Sequence, residues 1–264
     1  MKYSQERSTR MAFKLVNCTH RHCVFTIDEE LRHFFLEDRS LLNCLFRAVQ
    51  SVILRMFNKM NQSQNFVPGF ICVLHTFGRP LEWNPHIHCI LSEGGFSDNA
   101  IWRPVKHFNY TYLRNAFQTA LLNEMEQHIG PSFKKIKAYI YHKDKNGFYV
   151  YAKPNLCDPN TVIKYIGRYL GRPVIALKRI DSYDGENVTF HYNRHEDNAY
   201  VKRTIPAIEF IKLLIQHIPE KHFKMIRYYG LYARHRKIDA KLYRAIHQSK
   251  HRFIKGLSLI HISE

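Results

Sequence analysis

The stretch PGFICVLHTFGRPLEWNPHIHCILS, residues 68–92, decides the fold, because it contains two apolar runs separated by turn-forming residues. Those turn-forming residues are Gly78, Pro80, Asn84 and Pro85. The pattern predicts two strands joined by a loop. Alternate residues of a strand point to the same face, so His86 and His88 project together while Ile87 points into the core.

Two imidazoles held on one strand face can bind one divalent cation, with water and a phosphate completing its shell. A third protein ligand is expected close by. The candidates are His75, on the preceding strand, and Glu82, in the loop. The alternative is an ordinary strand with two half-exposed histidines, because an isolated His-x-His pair is a weak signal.

Residues 158–173, DPNTVIKYIGRYLGRP, predict a single helix. Asp158 can cap its N-terminus, and Pro159 suits the first helical position. At the other end, Gly171 and Pro173 are typical of a helix stop.

Two tyrosines of this predicted helix are spaced four residues apart. Tyr165 and Tyr169 therefore share one face, a turn apart. Arg168 and Arg172 form a neighbouring stripe that could grip phosphates, and Lys164 adds a further positive charge. The alternative is an amphipathic helix whose tyrosines pack, since the chain contains 16 tyrosines.

In this order and context, the histidine pair and the tyrosine pair resemble those of transposases of the insertion-sequence-91 family. These are the two-tyrosine members of the HUH endonuclease superfamily. The matching stretches are HCVFTI (22–27), GFICVLHTFGRPLEWNPHIHCILSEGG (69–95), YVYAKP (149–154), YIGRYLGRP (165–173) and IRYYGLYARHRK (226–237). By this resemblance His86 and His88 are ligands of Mg²⁺ or Mn²⁺, and Tyr165 and Tyr169 are nucleophiles.

The chemistry that the resemblance implies is the cutting and rejoining of single-stranded DNA. A tyrosine phenol has a pKa of about 10, so it is a weak nucleophile at neutral pH. A cation on the histidines would polarise the scissile phosphate. Attack by the tyrosine leaves a 5′-phosphotyrosine and a free 3′-OH, and two tyrosines permit successive cleavage and strand transfer, as rolling-circle transposition requires.

The composition agrees with a nucleic-acid partner. Lys and Arg number 40 against 22 Asp and Glu, giving a net charge of +18, which favours a polyanion. The basic excess is strongest near the C-terminus, where Arg234 and Arg236 are candidate DNA contacts interleaved with tyrosines. We expect single-stranded DNA, from mobile-element ends and targets, as partner. We expect neither a membrane nor a small-molecule substrate.

The six cysteines are scattered without a CxxC pair, which favours reduced thiols in a cytoplasm. We expect a bacterial, nucleoid-associated protein. The cluster CTHRHC, residues 18–23, is an alternative zinc site. Arg21 stands where the catalytic motif has a bulky apolar residue, which weighs against a second histidine pair of that kind.

Alternating strands, helices and hairpins predict an α+β fold with a central antiparallel sheet flanked by helices. The resemblance implies the ferredoxin-like HUH core, with the histidine pair on a central strand and the tyrosine helix packed near it. We expect a polar segment at 1–17, a nuclease domain at 18–200, a basic helical extension at 201–255 and a non-native tail at 256–264. No apolar run approaches the roughly 20 residues of a membrane helix.

The predicted elements follow the chain in order. They are a strand at 22–27, helices from Asp28 and after Ser40, the two central strands, a helix at 110–129, strands around a turn at 143–147, the tyrosine helix, a hairpin around 183–187 and a helix from Thr204 to about His217.

Family members usually carry a cysteine-rich zinc-binding segment before the matching region, and we expect this chain to lack it. Three other functions stay open. A replication initiator or relaxase shares the chemistry but acts at a defined origin. A non-catalytic nucleic-acid-binding protein would bind without cleaving. A metal-dependent hydrolase that activates water would leave no covalent adduct.

Overall fold

The computed structural model describes residues 16, 18–60, 66–97, 101–105, 108–157, 173–194 and 196–233. The predicted tyrosine helix at 158–172 and the basic tail from residue 234 lie outside the described residues. The fold class is α+β, as predicted, with a central antiparallel sheet flanked by helices.

The described residues form nine strands and five α-helices. The strands are β1 (His20–Phe25), β2 (Phe66–Phe77), β3 (Trp83–Ser97), β4 (Trp102–Pro104), β5 (Val150–Cys157), β6 (Ile180–Tyr183), β7 (Asn187–Asn193), β8 (Tyr200–Pro206) and β9 (Ile226–Gly230). The helices are α1 (Arg32–Glu37), α2 (Leu42–Met60), α3 (Tyr110–Ile129), α4 (Lys134–Lys143) and α5 (Ala207–Ile215).

The larger sheet has the order β5-β1-β3-β2-β9, with β4 paired to the end of β3. Every strand pair in it is antiparallel. The hairpin of β2 and β3 lies at its centre, as the opening stretch of sequence predicts. The two central strands are therefore bordered on both sides, so their backbone groups are paired within the sheet.

One face of the central sheet packs against the helices. Ile87, Cys89 and Leu74 point into this core and are at most 1% exposed. Helix α2 lies over them with apolar residues every three or four positions, ten of which are buried. Each Val, Leu, Ile, Phe or Met side chain among them contributes about 1.5–3 kcal/mol when fully buried. The segment Arg39–Met60 is long and apolar enough to span a membrane, but 61% of its apolar window is buried, as in a core helix.

A smaller sheet, with the order β6-β7-β8, forms a second layer with α5. Its core consists of Val188, Phe190 and Ile205, packed against Phe210 of α5. Leu81, from the loop between β2 and β3, belongs to this same cluster and is 0% exposed. The tip of the central hairpin is therefore held by the smaller sheet.

The predicted strand before the turn at 143–147 is wrong, because residues 134–143 form helix α4. The run IKAYIYHK is rich in residues that favour strands, but Ile136 and Ile140 are four apart and pack towards the core on one helical face. Lys137 also bonds Glu126 of α3 at 2.6 Å. Tertiary contacts thus override local propensity.

The C-terminal region differs from the predicted secondary structure in one helix and one strand. The boundary predicted at residue 200 falls at the start of β8, which pairs with β7. Pro206 ends that strand, so the helix predicted from Thr204 begins at Ala207. Residues 226–230 form β9, which pairs with β2, and they belong to the central sheet.

Candidate metal centre

The histidine pair lies on β3 with the alternation that the sequence predicts. Ile87 is fully buried in the helix-facing core, and His86 and His88 lie on the opposite face of the sheet, partly exposed. Their Nε2 atoms are 3.1 Å apart. The two imidazoles therefore converge on a common point rather than diverging along the strand.

His75 joins the pair from the neighbouring strand. It lies directly opposite His86 in the β2–β3 register, so both side chains are on the same face. The ring centroid of His75 is 4.5 Å from that of His88 and 5.6 Å from that of His86. One ring nitrogen of each of the three residues lies within 4.8 Å of the others. This triad could hold a metal ion.

The local backbone fixes the orientation of His86. Its Nδ1 bonds the carbonyl oxygen of Asn84 at 2.7 Å. A carbonyl only accepts, so Nδ1 carries the proton and the Nε2 lone pair faces the centre of the cluster. A backbone carbonyl on the far nitrogen is a common support of metal-binding histidines.

Burial keeps His86 in the neutral form that a metal needs. Desolvation lowers the pKa of His86, and the nearby guanidinium of Arg32 lowers it further, while the bond to the Asn84 carbonyl opposes both. A ligand that is already neutral near pH 7 loses no proton on binding a cation.

The loop between β2 and β3 is held in a strained but anchored conformation. Leu81 has a φ of +70°, which a residue other than glycine rarely adopts. Its buried side chain and its carbonyl, which lies 3.0 Å from Nε2 of His217, offset this cost. Arg79 donates to the carbonyl of Asn193 at 2.8 Å. The smaller sheet thus fixes the hairpin ends that carry His75 and His86.

Glu82, the other candidate for the third ligand, faces elsewhere. Its carboxylate lies 3.9 Å from the guanidinium of Arg32 and is more than half exposed. The residues whose ligand atoms lie close enough to share one ion are His75, His86 and His88, and Glu82 is not among them.

Sequence reasoning missed a fourth histidine at this centre. Nε2 of His22, on β1, lies 2.9 Å from Nδ1 of His88. The signal was present in the His20–Arg21–His22 pattern, which has the same spacing as the pair on β3. Its meaning depends on the pairing of β1 with β3, between residues 66 positions apart in sequence.

The cluster at residues 18–23 does not converge on one site. The pleat of β1 puts Cys23 in the helix-facing core, away from His20 and His22. His20 is fully buried and bonds the carbonyl of Cys18 and the hydroxyl of Tyr232. This arrangement disfavours the zinc alternative.

The remaining candidate residues lie outside the described residues. They are the predicted nucleophiles Tyr165 and Tyr169 and the predicted DNA contacts Lys164, Arg168, Arg172, Arg234 and Arg236.

The fold and the cluster define an α+β domain whose central sheet carries a histidine triad able to hold a metal ion. The chain belongs to a transposase family: the family model described as "Putative transposase" matches residues 69–239. That range includes His75, His86, His88 and the predicted tyrosine helix.

Two curated relatives agree with this family. The "Transposase for insertion sequence element IS801" of Pseudomonas savastanoi pv. phaseolicola is 28% identical over 233 residues, which are 83% of this chain and 56% of that protein. The "Putative transposase y4qJ" of Sinorhizobium fredii is 30% identical over 237 residues, 82% of this chain and 59% of that protein. The chain thus spans somewhat more than half the length of both relatives. No solved structure gave a significant match.

Proposed function

We propose that this protein is a DNA transposase that cleaves and rejoins single-stranded DNA through 5′-phosphotyrosine intermediates, in a rolling-circle type of transposition. The observation that carries the proposal is the convergence of His75, His86 and His88 on one face of the central sheet in a chain of a transposase family. The DNA would be mobile-element ends and their targets, in the cytoplasm of a bacterium.

The triad is assigned as the metal-binding group, with His75 rather than Glu82 as third ligand. Three neutral imidazoles suit a transition-metal ion, whereas Mg²⁺ prefers oxygen ligands and keeps much of its water. Of the two expected ions, the donor set therefore favours Mn²⁺. When bound, the metal supplies Lewis-acid polarisation of the scissile phosphate.

Tyr165 and Tyr169 are assigned as the nucleophiles. The phenolic oxygen of one tyrosine bonds to the phosphorus as the bond from phosphorus to the 3′ oxygen breaks. The phenol releases its proton, and the departing 3′ oxygen takes one up. One phosphodiester replaces another, so the step is reversible without a nucleotide cofactor. The second tyrosine would allow a second covalent end to be held during strand transfer.

The cations near the tyrosines would hold the strand. Lys164, Arg168 and Arg172 are assigned to phosphate contacts beside the nucleophiles, with Arg234 and Arg236 further along the chain. Such contacts are largely independent of sequence and weaken as salt is raised.

The test is adduct formation on end-labelled single-stranded DNA that carries the ends of related insertion elements, with Mn²⁺ and denaturing gels. We expect a protease-sensitive labelled adduct that the double variant Tyr165→Phe and Tyr169→Phe does not form. The matched control is Tyr139→Phe with Tyr141→Phe, two exposed tyrosines of α4.

Each competing function predicts a different result. Cleavage without an adduct would indicate a metal-dependent hydrolase. Binding with neither cleavage nor adduct would indicate a nucleic-acid-binding protein. Adducts confined to one replication origin, and absent at element ends, would indicate an initiator or relaxase.

A further inference from the structure

Three of the four histidines at the centre and one backbone carbonyl form a directed chain of short contacts. Nε2 of His22 lies 2.9 Å from Nδ1 of His88, and Nε2 of His88 lies 3.1 Å from Nε2 of His86. Nδ1 of His86 lies 2.7 Å from the carbonyl oxygen of Asn84. Every neutral imidazole has one donor and one acceptor nitrogen, so the carbonyl end sets the direction of the chain.

Without a metal ion, the position of each proton in this row of hydrogen bonds follows from the carbonyl of Asn84. Nδ1 of His86 must donate to Asn84, so Nε2 of His86 is the acceptor. Nε2 of His88 then donates to it, and Nδ1 of His88 must accept. The proton for that bond comes from Nε2 of His22.

If the triad held a metal ion, the hydrogen bond between His22 and His88 would have to reverse its direction, while the bond from His86 to Asn84 would keep its own. Nε2 of His88 must then present its lone pair to the ion, so its proton must be on Nδ1. That nitrogen faces His22 across 2.9 Å. The hydrogen bond survives only if Nε2 of His22 becomes the acceptor and His22 carries its proton on Nδ1.

We propose that His22 is the positioning residue of the metal centre. Its ring holds the ring of His88, and both rings move their proton to the other nitrogen when an ion binds. Its imidazole can donate in one state and accept in the other, so no net charge changes. This inference rests on the proposed metal role of the triad.

The geometry distinguishes a support from a ligand. The ring planes of His22 and His88 are parallel within 2°, and their centroids are 5.1 Å apart. With 2.9 Å between the two nitrogens, this separation fits a hydrogen bond that lies in the planes of both rings. His22 contacts Nδ1 of His88, whereas His86 contacts Nε2 on the other side of that ring. His22 thus lies behind His88 as seen from the ion.

The side chain at position 22 decides whether the exchange can occur. Glutamine offers both an acceptor oxygen and a donor nitrogen, so His22→Gln should retain most of the affinity for Mn²⁺. Phenylalanine offers neither, so His22→Phe should weaken Mn²⁺ binding about 10- to 100-fold, as is typical when a supporting partner of a metal ligand is lost.

The experiment measures Mn²⁺ binding by electron paramagnetic resonance for the full chain and both variants. His20→Gln is the matched control, because His20 lies two residues away on the same strand and has its own partners, Cys18 and Tyr232. We expect the affinity of this control to equal that of the parent. Equal affinity of His22→Phe and the parent would overturn the positioning role.

A second readout observes the exchange itself. Long-range ¹H–¹⁵N spectra of the parent should show His22 protonated at Nε2 without metal and at Nδ1 after addition of Zn²⁺, a diamagnetic probe ion. A tautomer that stays fixed at His22 while His88 binds zinc would contradict the proposal. A metal-shifted Nε2 on His22 would make it a ligand instead. Failure of the parent to bind either Mn²⁺ or Zn²⁺ would instead contradict the proposed metal centre itself. That result is distinct from a fixed tautomer at His22 and from a metal-bound His22.

Discussion

His20 and His22 lie on the same face of the same strand, but they belong to different clusters. His20 is fully buried, with Nδ1 2.9 Å from the carbonyl of Cys18 and Nε2 2.6 Å from the hydroxyl of Tyr232. His22 contacts another histidine, which contacts a third. In the first cluster, a backbone carbonyl and a tyrosine hydroxyl satisfy both ring nitrogens of one histidine. In the second cluster, the ring nitrogens of neighbouring imidazoles contact one another.

The difference teaches how to separate a structural histidine from a metal-binding one. The carbonyl of Cys18 only accepts, so one tautomer of His20 satisfies both of its contacts at once. Contacts between imidazoles can be made in either direction, so they adapt when an ion replaces a proton. We expect substitutions in the first cluster to affect stability and those in the second to affect chemistry.

The largest effect should come from His86→Ala. It removes one of the three proposed ligands and should lower adduct formation at least 100-fold, since mutating even an outer partner of a metal site typically costs about 10–100-fold. DNA binding at low salt should remain, because the positive charge of the protein is unchanged. Gel assays of cleavage and of binding measure the two effects separately. An unchanged cleavage rate would exclude a metal role for His86.

The next comparison separates the two candidates for the third ligand. His75→Ala should weaken Mn²⁺ binding roughly 10-fold or more, whereas Glu82→Gln should bind Mn²⁺ as the parent does. Titration calorimetry of both variants measures this difference. The reverse ranking would make Glu82 the ligand and would require the loop after Gly78 to move.

Tyr232→Phe tests the structural cluster. The variant leaves the buried Nε2 of His20 without the hydroxyl that bonds it, which should cost about 1–3 kcal/mol of unfolding free energy. Affinity for Mn²⁺ should not change, because His20 and Tyr232 bond each other and the backbone at Cys18 and Val16. Urea unfolding and metal titration of the same preparation check both statements. A loss of metal affinity at unchanged stability would contradict the separation of the two clusters, because Tyr232 would then support the metal centre.

Acid should destabilise the structural cluster in a defined window. Burial lowers the pKa of His20 from 6.5 to about 4. Between these values the unfolded chain binds a proton that the folded chain does not, so stability falls as pH falls. At pH 5 the contribution of His20 is a loss of about 2 kcal/mol. Urea titrations at pH 7 and pH 5 should show a smaller fall for His20→Gln than for the parent.

Much of the fold was predictable because its signals are local. The central hairpin follows from two apolar runs with a turn between them, and α3 ends at Gly130, as the helix predicted at 110–129 does. The side-chain alternation around Ile87 also placed the histidine pair correctly. Helix α4 was missed because its contacts with α3, such as Lys137 with Glu126, are not visible in its own sequence.

The centre was only partly predictable for a related reason. His75 could be named because it lies on the strand that precedes the pair, but Glu82 lies still nearer to the pair in sequence. The role of His22 depends on β1 pairing with β3, and nothing local encodes that choice. The strand β9 was missed because its apolar and basic residues resemble those of a basic surface segment.

The anchoring of Leu81 has a consequence for protein synthesis. The contact between its carbonyl and His217 joins residues 136 positions apart, so the hairpin leaves the ribosome well before its anchor. At an elongation rate of about 5–20 residues per second this delay is roughly ten seconds. A nascent chain therefore carries the histidines without the layer that fixes them. We expect metal-dependent DNA cleavage to begin only after nearly all of the described chain has been translated, which separates synthesis from DNA damage in time.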